Sequence, residues 1–204
     1  MATAEGRERA LDLYRRASEF SDPRLRAPAL LGMGLMALRL DRPAEALAAF
    51  EAAADVVDGG VARDQARFMK AEALLALGRE AEAVAAASAM IGSGADAAWS
   101  SEALFWMGRR QFNAGDFAAA EASFSDYVVK WPQAAKADSA MLLAAQAQFH
   151  RGRYDAAIET AAALVAAHPG SRCVPAAEFT HAEALCELLQ FDAALLLFDA
   201  VVKS

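Results

Sequence analysis

Phe117, Tyr154 and Phe191 stand 37 positions apart, and each opens the same short pattern. Continuing the step toward the N-terminus reaches Glu80 and then Pro43. Three positions after each of these five lies an alanine: Ala46, Ala83, Ala120, Ala157 and Ala194. Seven positions after lie Phe50, Ala87, Phe124, Ala161 and Phe198, and nine before lie Gly34, Ala71, Gly108, Ala145 and Ala182. Five copies at one spacing, without an insertion, constrain the fold more than any single residue does. A period of about 20–50 residues means one supersecondary unit stacked on copies of itself.

The unit reads as two helices. There are 55 alanines among 204 residues. Alanine loses no side-chain entropy in a helix, and runs of strand type are nearly absent. In the third copy a helical stretch over residues 100–113 is followed by a second over residues 117–131. Gly78, Gly115 and Gly152 occupy the turn between them in three copies, where a glycine readily takes positive φ and stops a helix. The small residue of the first helix and the alanine of the second let the two axes approach, and the aromatic seven positions on is expected to fill the wedge between hairpins. Pro132 and Pro169, again 37 apart, stop two second helices. Ser100 is the expected N-cap of the third copy, with Trp99 stapled to Leu104. None of the six prolines is expected to interrupt a long helix. Residues 7–20 read as one more helix, a partial repeat in which Leu13 takes the place of Phe50, and residues 21–28 as the joint.

The third copy carries Leu104, Met107-Gly108, Phe117, Ala120, Phe124 and Pro132; the fourth carries Met141, Ala145, Tyr154, Ala157, Ala161 and Pro169. This pattern resembles the tetratricopeptide repeat (TPR), over residues 27–204. Lys70 and His181 stand where the family prefers leucine, and the period of 37 exceeds the usual one of about 34. The resemblance implies an all-α fold, a right-handed α-solenoid of five hairpins at about 27–63, 64–100, 101–137, 138–174 and 175–204, preceded by the N-terminal helix and joint at 1–26. It implies a protein-binding scaffold whose first helices line a concave groove. Residues 102–141 look most like the TPRs of bacterial envelope proteins, of the outer-membrane assembly lipoprotein and periplasmic coordinator types, so periplasm or envelope is favoured over cytoplasm.

The net charge of −7 with no Lys/Arg cluster disfavours nucleic acid as a partner. No apolar run reaches the roughly 18–20 residues of a membrane span, and residues 1–16 lack the apolar core of a signal peptide. Cys173 and Cys186 are expected as free thiols, because helix from Pro175 would hold them too far apart for a disulfide. Glu178 and His181 form a single Glu-x-x-His pair; a di-iron bundle needs a second such pair and two further glutamates. Gly32-x-Gly34 and Gly92-x-Gly94 follow no strand and are not nucleotide loops. No catalytic set and no cofactor site is expected.

Two apolar ladders run along the first helices, Leu31–Phe68–Phe105–Leu142–Phe179 and Leu38–Leu75–Phe112–Phe149–Cys186. Either both are core between hairpins, or part of the first, with Trp106, is exposed and grips an apolar peptide. Between and beside them lie Leu35, Glu72, Arg109, Gln146 and Glu183, and Arg39, Ala76, Asn113, His150 and Glu187. The candidate groove is therefore Leu31, Phe68, Phe105, Trp106, Arg109, Asn113, Gln146, His150, Phe179, Glu183 and Glu187. The lysine and asparagine set with which some TPRs clamp a C-terminal carboxylate is missing. Residues 1–42 carry a net +2 and residues 155–204 a net −5: a solvated face, or a basic partner near Glu183 and Glu187. Leu195, Leu196, Leu197, Phe198, Val201 and Val202 spread around the last helix, so the array is expected either to continue or to pair with a second copy through this end. The rival readings are a regulatory array belonging to a larger enzyme or transcription regulator, and a self-associating architectural element.

Overall fold

The computed structural model describes residues 3–56, 60–92 and 96–203. Every regular element among them is a helix: α1 (Ala4–Ala17), α2 (Pro23–Arg39), α3 (Pro43–Val56), α4 (Val61–Ala76), α5 (Glu80–Gly92), α6 (Ala97–Asn113), α7 (Phe117–Lys130), α8 (Ala137–His150), α9 (Tyr154–Ala167), α10 (Val174–Glu187) and α11 (Phe191–Lys203). The fold is all-α, of the α-solenoid class built from helical hairpins. Contacts divide it into two compact units, Met1–Ala103 and Leu104–Ser204. In the first unit α1 packs on α2, α2 on α3, α3 on α4 and α4 on α5, with α2 also touching α4. In the second, α7 packs on α8, α8 on α9, α9 on α10 and α10 on α11, with the first helices α8 and α10 also in contact.

The turn inside each hairpin rests on one residue with positive φ. These residues are Asp41 (59°), Gly78 (73°), Gly115 (78°), Gly152 (70°) and Leu189 (60°), spaced by 37 throughout. Three are the glycines expected from the sequence. Asp41 and Leu189 hold the same conformation with a side chain, which costs an L-residue roughly 1–2 kcal/mol.

Close approach within a hairpin is visible at two glycines. A Cβ on Gly34 would lie 2.4 Å from the ring of Phe50, and one on Gly108 would lie 2.8 Å from the ring of Phe124. Both rings are fully buried. The ring thus lies over the first helix of its own hairpin, a contact the sequence reading had placed between hairpins. Ala46, Ala83, Ala120, Ala157 and Ala194 are all 0–1% exposed, as are Ala71, Ala145 and Ala182. α7 and α9 end one residue short of Trp131-Pro132 and His168-Pro169, as a proline that cannot continue the helix requires.

Four local expectations are corrected. α6 begins at Ala97, so Ser100 lies inside its first turn rather than capping it. Asp96 caps instead, its Oδ1 accepting from the Ala98 N–H at 2.9 Å; Trp99 lies within the helix, and its ring sits 5.7 Å from that of Phe68. The joint before α2 is short: Asp22 caps the helix with Pro23 at its first position, where a missing N–H costs nothing. Pro28 is then inside α2, exposed on its solvent side. α1 spans Ala4–Ala17 rather than 7–20. Leu13 is 62% exposed, and its neighbour Tyr14 covers Gly32 of α2 instead.

Neighbouring hairpins are pinned by carboxylates. Asp64 in the first turn of α4 accepts from the Asp96 N–H at 2.8 Å. Asp138 in the first turn of α8 accepts from the Ser171 hydroxyl at 2.5 Å. The two aspartates are two periods apart. Glu121 of α7 is buried and accepts from Gln148 Nε2 at 3.3 Å. It also receives the guanidinium groups of Arg151 and Arg153.

Candidate protein-binding face

The first helices α6, α8 and α10 each present one polar stripe in the second unit. On α6 it is Trp106, Arg109 and Asn113; on α8, Gln146 and His150; on α10, Glu183 and Glu187. Residues spaced by three, four and seven share a helix face, and the 37-residue period sets Arg109, Gln146 and Glu183 at one height and Asn113, His150 and Glu187 at the next. Arg109, Asn113, His150 and Glu187 are exposed; Trp106, Gln146 and Glu183 are half-buried. The side chains of Arg109, Gln146 and Glu183 have no hydrogen-bond or ion-pair partner among the described residues. Charge along the stripe passes from cation through amide to carboxylate.

The first apolar ladder behaves differently. Leu31 (6% exposed), Phe68 (7%) and Phe105 (7%) are buried. Phe105 sits edge-on to Phe124 and Tyr127, both at 5.6 Å between centroids, and the Lys136 ammonium lies over its ring, 5.0 Å from the centre. These three side chains are packing residues and present no surface to a partner. Phe179 alone is 46% exposed, although its ring meets that of Phe198 edge-on. The first ladder thus runs from core to surface as it approaches α10.

The second ladder builds an aromatic edge along the hairpin turns. Phe112 packs against Phe117 at 5.2 Å. Phe117 stacks on His150 at 4.4 Å with the rings 21° apart. Phe149 packs against Tyr154 at 5.5 Å, and the Tyr154 hydroxyl donates to Glu187 at 3.3 Å. Desolvation, with the Glu187 carboxylate close by, pushes the Tyr154 phenol above its usual range. The first residue of a second helix thus reaches the last turn of the next first helix, 33 positions on, twice in succession. His150 and Glu187 are therefore surface groups steadied by the preceding hairpin. Phe117 and Tyr154 were read from the sequence as register marks only; the step of 33 was the available signal.

Glu121 lies on a second helix, where a carboxylate reads from the sequence as a surface group. Its burial among Gln148, Arg151 and Arg153 makes it a structural group instead. Glu159, on the second helix α9, is exposed. His181 is held below its usual range by burial, against the opposing pull of Glu178. Among the described residues no three His, Cys, Asp or Glu side chains gather to hold a metal, and both cysteines are free. Gly32 and Gly34 lie within α2 under aromatic rings; Gly94 lies outside the described residues. No described helix is long and apolar enough to cross a membrane.

Comparison with known proteins agrees with this geometry. The tetratricopeptide repeat pattern matches residues 31–102 and 105–172. No curated protein sequence matches the chain. Among solved structures, the C-terminal part of a TPR repeat-containing protein from Cytophaga hutchinsonii superposes with a TM-score of 0.77 at 12% identity, covering 97% of this chain and 73% of that one. BtubC (BKLC) from P. vanneervenii gives 0.75 at 11% identity, covering 98% and 88%. A Rap protein complexed with Competence and Sporulation Factor gives 0.59 at 16% identity, covering 98% and 70%. At these identities the structures speak for the fold alone, while the repeat pattern covers well over half the residues: the chain belongs to the tetratricopeptide repeat family.

Proposed function

We propose that the chain is a non-catalytic scaffold that holds a peptide or protein on the first-helix stripe of its second unit. The observation that carries this reading is the row Arg109, Gln146 and Glu183. These are polar groups at one height on three successive first helices, and the fold itself uses none of their hydrogen-bonding capacity. A segment lying across them would meet a cation at α6, an amide at α8 and carboxylates at α10. Its own charge would run from acidic to basic along that path. The Rap protein among the structural neighbours was solved with a factor bound, an instance of a similar fold holding a ligand. Affinity capture from the native cell tests the reading. The partner should be lost with Arg109→Glu or Glu183→Lys and retained with Glu159→Lys. The opposite pattern would place binding on the second helices.

The setting we propose is the bacterial envelope, supported by the likeness of residues 102–141 to envelope TPRs. Recovery of the native protein only with the cytosol on cell fractionation would overturn it. A second reading has its own observation. On α11 and the turn before it, Leu189, Phe191, Leu195, Leu196 and Val202 are 60–85% exposed. An apolar face of this size marks association, with a second copy or with a continuation of the array. Leu196→Glu is the informative variant, because Phe198 is packed on Phe179 and its replacement would damage the hairpin. Light scattering should show association of the wild type that Leu196→Glu abolishes. A concentrated wild-type sample that stays monomeric would remove self-association.

A further inference from the structure

The second hairpin departs from the third and fourth on one face of its first helix. At three positions of the first helix, the third and fourth hairpins place small or apolar side chains: Ser100, Leu104 and Met107, then Ala137, Met141 and Ala144. Ser100, Leu104, Ala137 and Ala144 are buried. The second hairpin places Arg63, Arg67 and Lys70 there, spaced by four and three on one face of α4. It also carries Ala87 where the first, third and fifth hairpins have phenylalanine, and the side chains that α5 turns toward α4 include Ala86, Ala89 and Met90.

Two adjoining depressions result, both in the first unit. One, of about 350 Å³, lies between α3 and α4 and is lined by Glu51, Ala54, Asp55, Arg63, Arg67 and Lys70. The other, of about 280 Å³, lies between α4 and α5 and is lined by Arg67, Lys70, Ala86, Ala89 and Met90. Arg67 and Lys70 form the ridge shared by both. Neither cation is fully taken up by its partner within the fold. Lys70 pairs with Glu51 at 2.7 Å, with both side chains more than a third exposed. Arg67 meets Asp64 only at 3.9 Å, and Asp64 already accepts the Asp96 N–H. The exposed Lys70–Glu51 pair adds little stability, and a competing carboxylate can take its place.

We infer that this groove is a second binding site, which takes an acidic peptide segment with an apolar side chain beside its carboxylate. The apolar side chain would occupy the depression over Ala86, Ala89 and Met90, and the carboxylate would lie on Arg67 and Lys70. Charge complementarity chooses the occupant. The depression against α5 is lined by two cations and no acid, Glu51 and Glu82 lying outside that lining, so a basic segment would bring like charges together there. The site is separate from the Arg109–Glu183 stripe and stands or falls without it.

A phage-displayed library of random dodecapeptides, selected against the whole chain, tests the inference. Peptides retained by the wild type and lost by Arg67→Glu/Lys70→Glu should pair Asp or Glu with Leu, Ile or Phe. A chosen peptide should lose at least tenfold in affinity with Arg67→Gln/Lys70→Gln and keep its affinity with Arg109→Glu. Circular dichroism and melting of the glutamine variant exclude loss of fold as the cause. Three outcomes would each overturn the proposal: no peptide that depends on Arg67 and Lys70, selected peptides that are basic, or displacement of the acidic peptide by Arg109→Glu alone.

Discussion

The Ser171 hydroxyl donates to Asp138 at 2.5 Å, and so the joint leading into α10 is tied to the first turn of α8. The Ser139 N–H donates to the other carboxylate oxygen at 2.6 Å. The hydrogen bond from Ser171 is the chief reason that Asp138 is held below the usual carboxylate range; burial opposes it, and Ser139 and the charge of His168 assist. A carboxyl whose folded pKa is lowered adds stability above its unfolded pKa and loses that stability as pH falls through the folded value. Asp138→Asn should therefore lower the melting temperature near neutral pH, by the equivalent of about 1 kcal/mol after allowance for solvent screening. The difference from wild type should close as pH falls through the lowered folded pKa of Asp138. Melting curves of both proteins across pH check this, and a difference that persists in acid would mean the carboxylate charge is not the cause.

Gly34 and Gly108 report on how tightly each hairpin is closed. A methyl group at Gly34 would overlap the Phe50 ring at 2.4 Å, against 2.8 Å between Gly108 and Phe124. Overpacking a filled core costs about 1–3 kcal/mol. Gly34→Ala should fall near the top of that range and Gly108→Ala lower, as read from denaturant midpoints. Ala120→Leu should also destabilise, while the exposed Ala118 should accept leucine.

Leu189 is a case where substitution should help. It holds φ at 60° in a turn where three hairpins use glycine, and it is 74% exposed. Leu189→Gly should raise stability by about 0.5–1 kcal/mol, the relief of left-handed strain less the entropy glycine loses on folding. Gly115→Leu should do the reverse. A thermal scan of the two variants measures both signs.

Charge reversal separates the structural carboxylate from the stripe. Glu121→Lys would set a buried ammonium among Arg151, Arg153 and Gln148, and should cost more than about 2 kcal/mol. Arg109→Glu, on an exposed side chain without a partner, should leave the melting temperature within experimental scatter. Equal losses for the two would show that Arg109 is part of the packing.

The hairpins were legible in the sequence because their marks are steric. Only a small residue fits at Ala120 or Gly108, and only a residue tolerant of positive φ fits at Gly115, so spacing exposes them. The helix starts were less legible. Ser100 and Asp96 are both good capping residues, and the choice between them depends on Asp64, 32 residues away, which holds the Asp96 N–H. The candidate face was half legible for the same reason. Leu31, Phe68 and Phe105 share a ladder with Phe179, and only the packing of Phe105 against Phe124 and Tyr127 shows which rungs are core. Glu121 looked like a surface acid because its three donors come from the following hairpin. The groove over α4 left a trace as well: Lys70 stood out as a cation where the repeat prefers leucine.

The even spacing of the positive-φ residues has a consequence for evolution and engineering. Between Asp41 and Leu189 the chain keeps one phase, so its length can change in whole steps but not in fractions of one. Cutting out residues 117–153 would join Asp116 to Tyr154 and restore the sequence Gly-Asp-aromatic at the new junction. Cutting out one residue more or fewer would turn every later contact stripe about 100° around its helix, since 3.6 residues complete a turn. Gain or loss of one whole step is therefore the length change expected to leave the hairpin contacts in register.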